Sequence, residues 1–235
     1  MDSVKALVAQ SKTDPGIGES VYIQVRLTDE PTTEQQHSPL LLPLPHKFRK
    51  KSDITVCLVV KDPASPVEAK LAQSPVTADL FDEVIGVGKL RRRVAGGKRN
   101  TTTKLTTQFT KAFTLICVQH KVVEPLVECL GPKYFKTTTT LPVPVSLQHL
   151  DSDTAQRKLK LIVKTALQSA QIVMKPKSKV LTILVGDVKM DTKKLFENIV
   201  SAVDQCKRKI PSSLGYTAEY YIKTQESIAL KFDTE

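Results

Sequence analysis

The sequence predicts an α/β protein in which a three-layer α/β/α unit is inserted into a second, discontinuous α/β domain. Three observations carry that reading. Residues 54–60 and 113–118 are almost wholly apolar, the pattern of strands covered on both faces and hence of a parallel sheet between helix layers. Stretches with helical periodicity alternate with them. Two proline-rich passages, residues 30–45 and 141–145, bracket the alternation and mark where the chain passes between domains. The expected boundaries are 47–147 for the insert, and 1–46 with 148–235 for the domain that receives it.

Each element follows in turn. Val4, Leu7 and Val8 have helical spacing over residues 3–10, and residues 21–27 alternate as a half-buried strand does. Residues 30–45, with Pro31, Pro39, Pro43 and Pro45, read as an extended linker because proline removes backbone donors. Within the insert, 54–60, 84–87 and 113–118 are strands. Residues 67–73, 89–95 and 122–130 are helices, the last stopped by Gly131. Beyond 150, Leu159, Ile162, Val163, Ala166, Leu167 and Ala170 form one helical face. A strand at 180–185 and a polar turn lead to a second helix lined by Leu195, Phe196, Ile199, Val200 and Val203, with Asp191 placed to cap it. Residues 218–222 and 228–232 close the chain as strands. The N-terminal helix and strand cannot bury their own faces, so they are assigned to the C-terminal part.

Composition bounds the function. No stretch of about 18 uncharged apolar residues occurs, so no transmembrane span is expected, and the first ten residues lack the pattern of a secretory signal. Cys57, Cys117, Cys129 and Cys206 are far apart and form no CxxC pair, as expected of buried reduced thiols. The net charge is +11 and uneven: residues 1–45 hold 3 basic and 6 acidic side chains, residues 46–100 hold 12 and 6. A polyanionic partner, and above all nucleic acid, suits such a balance.

Motifs of enzyme chemistry fail one by one. A phosphate-cradling loop before Gly88-Lys89 or Gly97-Lys98 would need glycine where Glu83 or Arg92 stands. Gly86-Val87-Gly88 is followed by Arg91 rather than the third glycine of a dinucleotide fingerprint. His37, His46, His120 and His149 are scattered without ligand spacing, and no GxSxG elbow occurs. The expectation is a protein with no cofactor, no metal and no catalytic centre.

What remains is KLRRRVAGGKRN, residues 89–100. On a helix at about 100° per residue, Leu90 and Val94 share a face, Arg92 and Lys89 point outward, and Arg91 and Arg93 flank them. Gly96-Gly97 end the helix, and Lys98 and Arg99 follow. No acid lies in the cluster to balance it, and Thr101, Thr102, Thr103, Thr106 and Thr107 are close by. Arginine and threonine together suit phosphate oxygens. In Lys133-Tyr134-Phe135-Lys136, Phe135 is read as packing into the domain, and Lys207-Arg208-Lys209 as cations at a helix C-terminus.

The order of several short segments resembles the ribosomal protein L1 family. They are Leu42-Pro43-Leu44-Pro45-His46, then Val56-Cys57-Leu58-Val59-Val60-Lys61-Asp62 and Leu90-Arg91-Arg92-Arg93. Leu126-Val127-Glu128-Cys129-Leu130-Gly131, Lys133-Tyr134-Phe135 and Leu141-Pro142-Val143-Pro144-Val145 follow, then Val185-Gly186, Met190, Glu197-Asn198-Ile199 and Ile222-Lys223-Thr224. The resemblance is to the eukaryotic nucleolar branch, and within it to the L1-domain protein of the small-subunit processome, an early pre-ribosome. It implies a split two-layer α/β domain carrying an inserted three-layer α/β/α domain. It also implies a nuclear, nucleolar factor of ribosome biogenesis and rRNA processing, without catalysis, membrane or small-molecule substrate. Its partners would be pre-ribosomal RNA, other assembly factors and ribosomal proteins.

The family's Thr-Met-Gly-Pro RNA-contact motif stands here as Thr224-Gln225-Glu226-Ser227, which keeps only the threonine and favours the assembly-factor branch over a mature ribosomal subunit. The expected RNA contacts are Lys89, Arg91, Arg92, Arg93, Lys98 and Arg99, with Lys223 and Thr224 by family position. A large-subunit assembly factor of the same family, or a module presenting its basic helix to acidic proteins, are the rival readings.

Overall fold

A computed structural model describes residues 4–7, 9, 18–30, 39–49, 54–96, 103–138, 140–175, 178–210 and 216–232. Along the chain run β1 (Ser20–Leu27), β2 (Leu40–Pro43), β3 (Val56–Val60), α1 (Ser65–Gln73), β4 (Glu83–Gly86), α2 (Val87–Ala95) and α3 (Thr103–Lys111). Next come β5 (Leu115–Gln119), α4 (Val123–Leu130), α5 (Pro132–Thr137), β6 (Val143–Val145) and α6 (Asp153–Leu167). The last elements are β7 (Ser169–Ile172), β8 (Val180–Asp187), α7 (Thr192–Lys209), β9 (Tyr216–Lys223) and β10 (Leu230–Phe232). They form two compact units, residues 49–167 and residues 1–48 with 168–235.

The 49–167 unit is built on a parallel sheet in the order β4-β3-β5-β6. Every residue of β3 is buried, which is why its sequence does not alternate: both of its faces meet apolar side chains. With the right-handed sense usual for crossovers between parallel strands, this order would put α1 on one face of the sheet and α2 on the other. Helix α6 lies with α1, joined to it by Ser74 Oγ donating to Gln156 Oε1 at 2.6 Å and by Lys70 Nζ 2.8 Å from Asp151. Its stripe of Leu159, Val163 and Ala166 is buried. That stripe puts α6 in this unit, so the unit extends twenty residues past the boundary at 147 read from the prolines.

The other unit holds an antiparallel sheet in the order β10-β9-β1-β8 and a two-stranded pair, β2 with β7, among the described residues. Along β1 burial alternates: Val21, Ile23, Val25 and Leu27 face a core completed by Leu195, Ile199, Ala202, Val203 and Cys206 of α7. Residues 4–7 and 9 are helical, and Val4 and Leu7 enter the same core. Helix α7 starts at Asp191, whose Oδ1 accepts from the amides of Lys193 and Lys194. It passes so near β8 that a Cβ on Gly186 would stand 2.5 Å from Leu195 Cδ1.

Several local expectations change. Leu40–Pro43 is a strand, because Pro43 closes its end and needs no amide there; residues 31–38 of the supposed linker lie outside the described residues. Ala170 belongs to β7 rather than to the preceding helix, which ends at Leu167. Thr103–Lys111, to which the sequence reading assigns no element, is a helix that buries Thr106 and Phe109.

Candidate nucleic-acid interface

Helix α2 starts directly from the end of β4 and buries Leu90 and Val94. Gly96 ends it in the left-handed region at φ 58, its amide donating to Arg92 O. Glycine is required there twice over, since a Cβ would also stand 2.5 Å from Leu105 Cδ1. At the other end the amide of Gly88 donates to Asp62 Oδ2 at 2.7 Å. Asp62 follows β3, so its carboxylate fills the crevice at the carboxyl ends of the parallel strands, where α/β folds hold phosphates on a helix N-terminus. A Cβ on Gly86 would lie 2.1 Å from Asp62 Oδ1. The chain's own carboxylate thus lies against the start of α2.

The four basic side chains of α2 divide into two pairs. Arg93 Nη1 lies 2.8 and 3.1 Å from the two carboxylate oxygens of Glu83, and its guanidinium sits 5.3 Å from the centre of the Phe109 ring. Arg91 Nη2 is 3.5 Å from Glu128 Oε2. Lys89 and Arg92 are exposed and make no ion pair among the described residues. The acids missing from the cluster's own sequence are therefore supplied by β4 and α4, and the unbalanced charge is carried by Lys89 and Arg92.

The remaining expected contacts fall as follows. Lys98 and Arg99 lie outside the described residues, as do Thr101 and Thr102. Thr106 is buried with no partner for its hydroxyl among the described residues, and the exposed Thr107 donates its hydroxyl back to Thr103 O at 2.9 Å. Lys223 is half-buried on β9. Thr224, expected as a contact by family position, has a completely buried side chain; its Oγ1 has no hydrogen-bond partner among the described residues, and its amide donates to Ser227 Oγ at 2.8 Å. The turn after β9 folds inward around that bond.

Tyr134 donates its hydroxyl to Thr140 O and stands edge-on to the buried Phe135. In the terminal cluster of α7, Lys209 Nζ reaches Leu41 O and Arg208 Nε reaches Asp204 O, as a helix C-terminus favours. No group of three metal-binding side chains occurs among the described residues, and no described helix is long and apolar enough to cross a membrane. All four cysteines are free and buried. Burial raises the Cys57 thiol and pushes those of Cys117 and Cys206 up to about 12, which leaves them poor nucleophiles.

Residues 5–228 match the model of the ribosomal protein L1p/L10e family. A similar relative is the ribosome biogenesis protein UTP30 of Saccharomyces cerevisiae, 28% identical over 148 residues. The matched stretch covers 62% of this chain and 52% of the yeast protein, about half of its length.

Proposed function

Because the chain belongs to the ribosomal protein L1p/L10e family, we propose that it is a non-catalytic ribosome biogenesis factor of the nucleolus that holds pre-ribosomal RNA. The observation that carries this reading is the pair Lys89 and Arg92, displayed on a helix whose other two arginines are neutralised from within the fold. Exposed cations next to neutralised ones are what a phosphate-contacting surface needs, because the inner pairs fix the helix while the outer ones remain for the ligand. The similarity to a yeast ribosome biogenesis protein supports the same process. The small-subunit processome, with its assembly factors and ribosomal proteins as neighbours, is the setting proposed.

Ultraviolet crosslinking of the protein in cells, followed by sequencing of the bound RNA, tests the proposal. Crosslinks on the small-subunit part of the ribosomal precursor are expected. Crosslinks confined to the large-subunit part would move the protein to that pathway, and their absence from the precursor would overturn RNA binding. Association that persists through ribonuclease and depends on Lys89 and Arg92 would favour acidic protein partners instead.

A further inference from the structure

The antiparallel sheet of the 1–48 and 168–235 unit has a second face. Its inner face is closed by α7, but on the other side β1 presents Tyr22, Gln24 and Arg26, each half-buried or exposed. The register sets their neighbours. Tyr22 stands across from Lys223 on one side and Leu184 on the other; Gln24 stands across from Tyr221 and Thr182. Lys231 of β10 lies beyond Tyr221. The two tyrosines are therefore diagonal neighbours on adjacent strands, about 7–8 Å apart in such a ladder, a gap that one unstacked nucleotide spans.

Charge on this face is mostly positive. Arg26, Lys223 and Lys231 stand against Glu219, which lies 3.2 Å from Lys231 Nζ and 3.6 Å from Arg26 Nη1. The bond from Lys231, aided by the charge of Arg26, holds the Glu219 carboxyl below its ordinary range. At the end of the sheet beyond Tyr22, Asp187 sits opposite Ser20, and Glu19 pairs with Lys189 at 2.5 Å. Half-buried tyrosines ringed by lysine, arginine, Gln24 and Thr182 differ from the merely polar outer face of a solvated sheet. They supply what single-stranded RNA recognition uses: π-faces for bases and cations for the backbone.

We propose that this sheet face is a stacking platform for single-stranded RNA, with Tyr22 and Tyr221 each taking a base and Lys223, Lys231 and Arg26 the adjoining phosphates. It rests on the RNA-binding reading above and adds a second contact, of a different kind, to the cations of α2. Base stacking belongs to this face, and the basic helix supplies backbone attraction alone.

The full chain is titrated with a single-stranded uridine oligomer and, separately, with a fully paired RNA hairpin. Tyr22→Ala and Tyr221→Ala are each expected to weaken the single-strand affinity about tenfold or more and to leave hairpin binding unchanged. Tyr22→Phe and Tyr221→Phe keep the π-face and the affinity, and Lys223→Glu, at a half-exposed position, weakens single-strand binding without needing either tyrosine changed. With no tryptophan and five tyrosines in the chain, stacking is also read as quenching of tyrosine emission, which the double alanine variant should lose. Unchanged single-strand affinity or quenching in that variant overturns the platform. If Lys89→Glu with Arg92→Glu abolishes all binding in the same assay while the tyrosine variants are silent, the platform falls and the RNA-binding reading stands. If the wild-type chain binds neither RNA, both fall.

Discussion

Asn198 holds His46, 152 residues away, by both sides of its backbone. Its Nδ2 donates to His46 O at 3.0 Å while its Oδ1 accepts from the His46 amide at 2.9 Å, and Nδ2 also donates to Val185 O. The side chain is completely buried between β8 and the segment after β2, and Glu197 next to it pairs with the His46 ring. Asparagine is the residue that supplies a donor and an acceptor from one small planar group. Replacing it with alanine takes the partner from three backbone groups, Val185 O buried and the two of His46 partly so, and Asn198→Ala should destabilise its unit by about 2–4 kcal/mol. Asn198→Asp keeps the shape but loses both donated bonds, and should do no better. Urea unfolding followed by circular dichroism reads both.

The two pairs of cations on α2 should separate in experiment. Arg92→Ala removes an exposed side chain and is expected to shift stability by less than about 0.5 kcal/mol. It should also lower the salt dependence of RNA binding by about one phosphate contact. Arg93→Ala breaks the contacts with Glu83 and Phe109 and should cost about 1 kcal/mol of stability, with a smaller effect on affinity. Thermal melts and binding titrations over a salt series distinguish the two outcomes.

Thr224 makes a prediction opposite to the one its sequence position suggests. Its buried hydroxyl is unpartnered among the described residues, and an unsatisfied buried hydroxyl costs about 1–3 kcal/mol. Thr224→Val, which keeps the branched shape, should leave stability unchanged or raise it by up to about 1 kcal/mol. RNA affinity should not move. A loss of affinity with unchanged melting would return Thr224 to the binding surface.

Gly96→Ala places a side chain at φ 58 and against Leu105. The left-handed backbone alone costs about 1 kcal/mol, and Leu105 must also turn aside. A drop in melting temperature, with helix content lost from α2 by amide exchange, is the expected result.

The thiols give the chain a defined alkaline limit. Cys117 and Cys206 titrate near 12 in the fold against an ordinary 9.0. The folded state therefore keeps protons that the unfolded chain releases, and the stability this contributes is complete below about pH 9 and lost as pH rises toward 12. Loss of stability between about pH 8 and 10.5 should be smaller in Cys206→Ala than in the wild type. All four thiols should resist a thiol reagent at about pH 8 until urea exposes them.

How much of this was legible in the sequence depends on how local the cause was. Residues 54–60 announce β3 because burial on both faces removes every polar position from the strand, and Asp191 announces its cap because the bond it makes is two residues away. The strand Leu40–Pro43 was hidden because its partner, Ser169–Ile172, lies more than 120 residues downstream. Helix α3 was hidden because threonine is a weak helix former and only the burial of Phe109 decides the matter. At the site, periodicity alone set Leu90 and Val94 inward and Lys89 and Arg92 outward. It could not reveal that Arg93 and Arg91 meet acids ten and thirty-seven positions away. The diagonal pairing of Tyr22 and Tyr221 across β1 and β9 escaped for the same reason, since only strand register brings residues so far apart together.

Asp62 has a consequence for how Lys89 would meet a ligand. The carboxylate grips the amide of Gly88, the residue just before that lysine, while Leu90 just after it is buried. The backbone bearing Lys89 is thus anchored on both sides before any encounter. Association there orders only a side chain and spares the loss of main-chain freedom that a loop-borne cation suffers. On the proposed reading, the carboxylate lodged against Gly86 and Gly88 would therefore make the neighbouring lysine a rigidly mounted contact, preorganised rather than recruited.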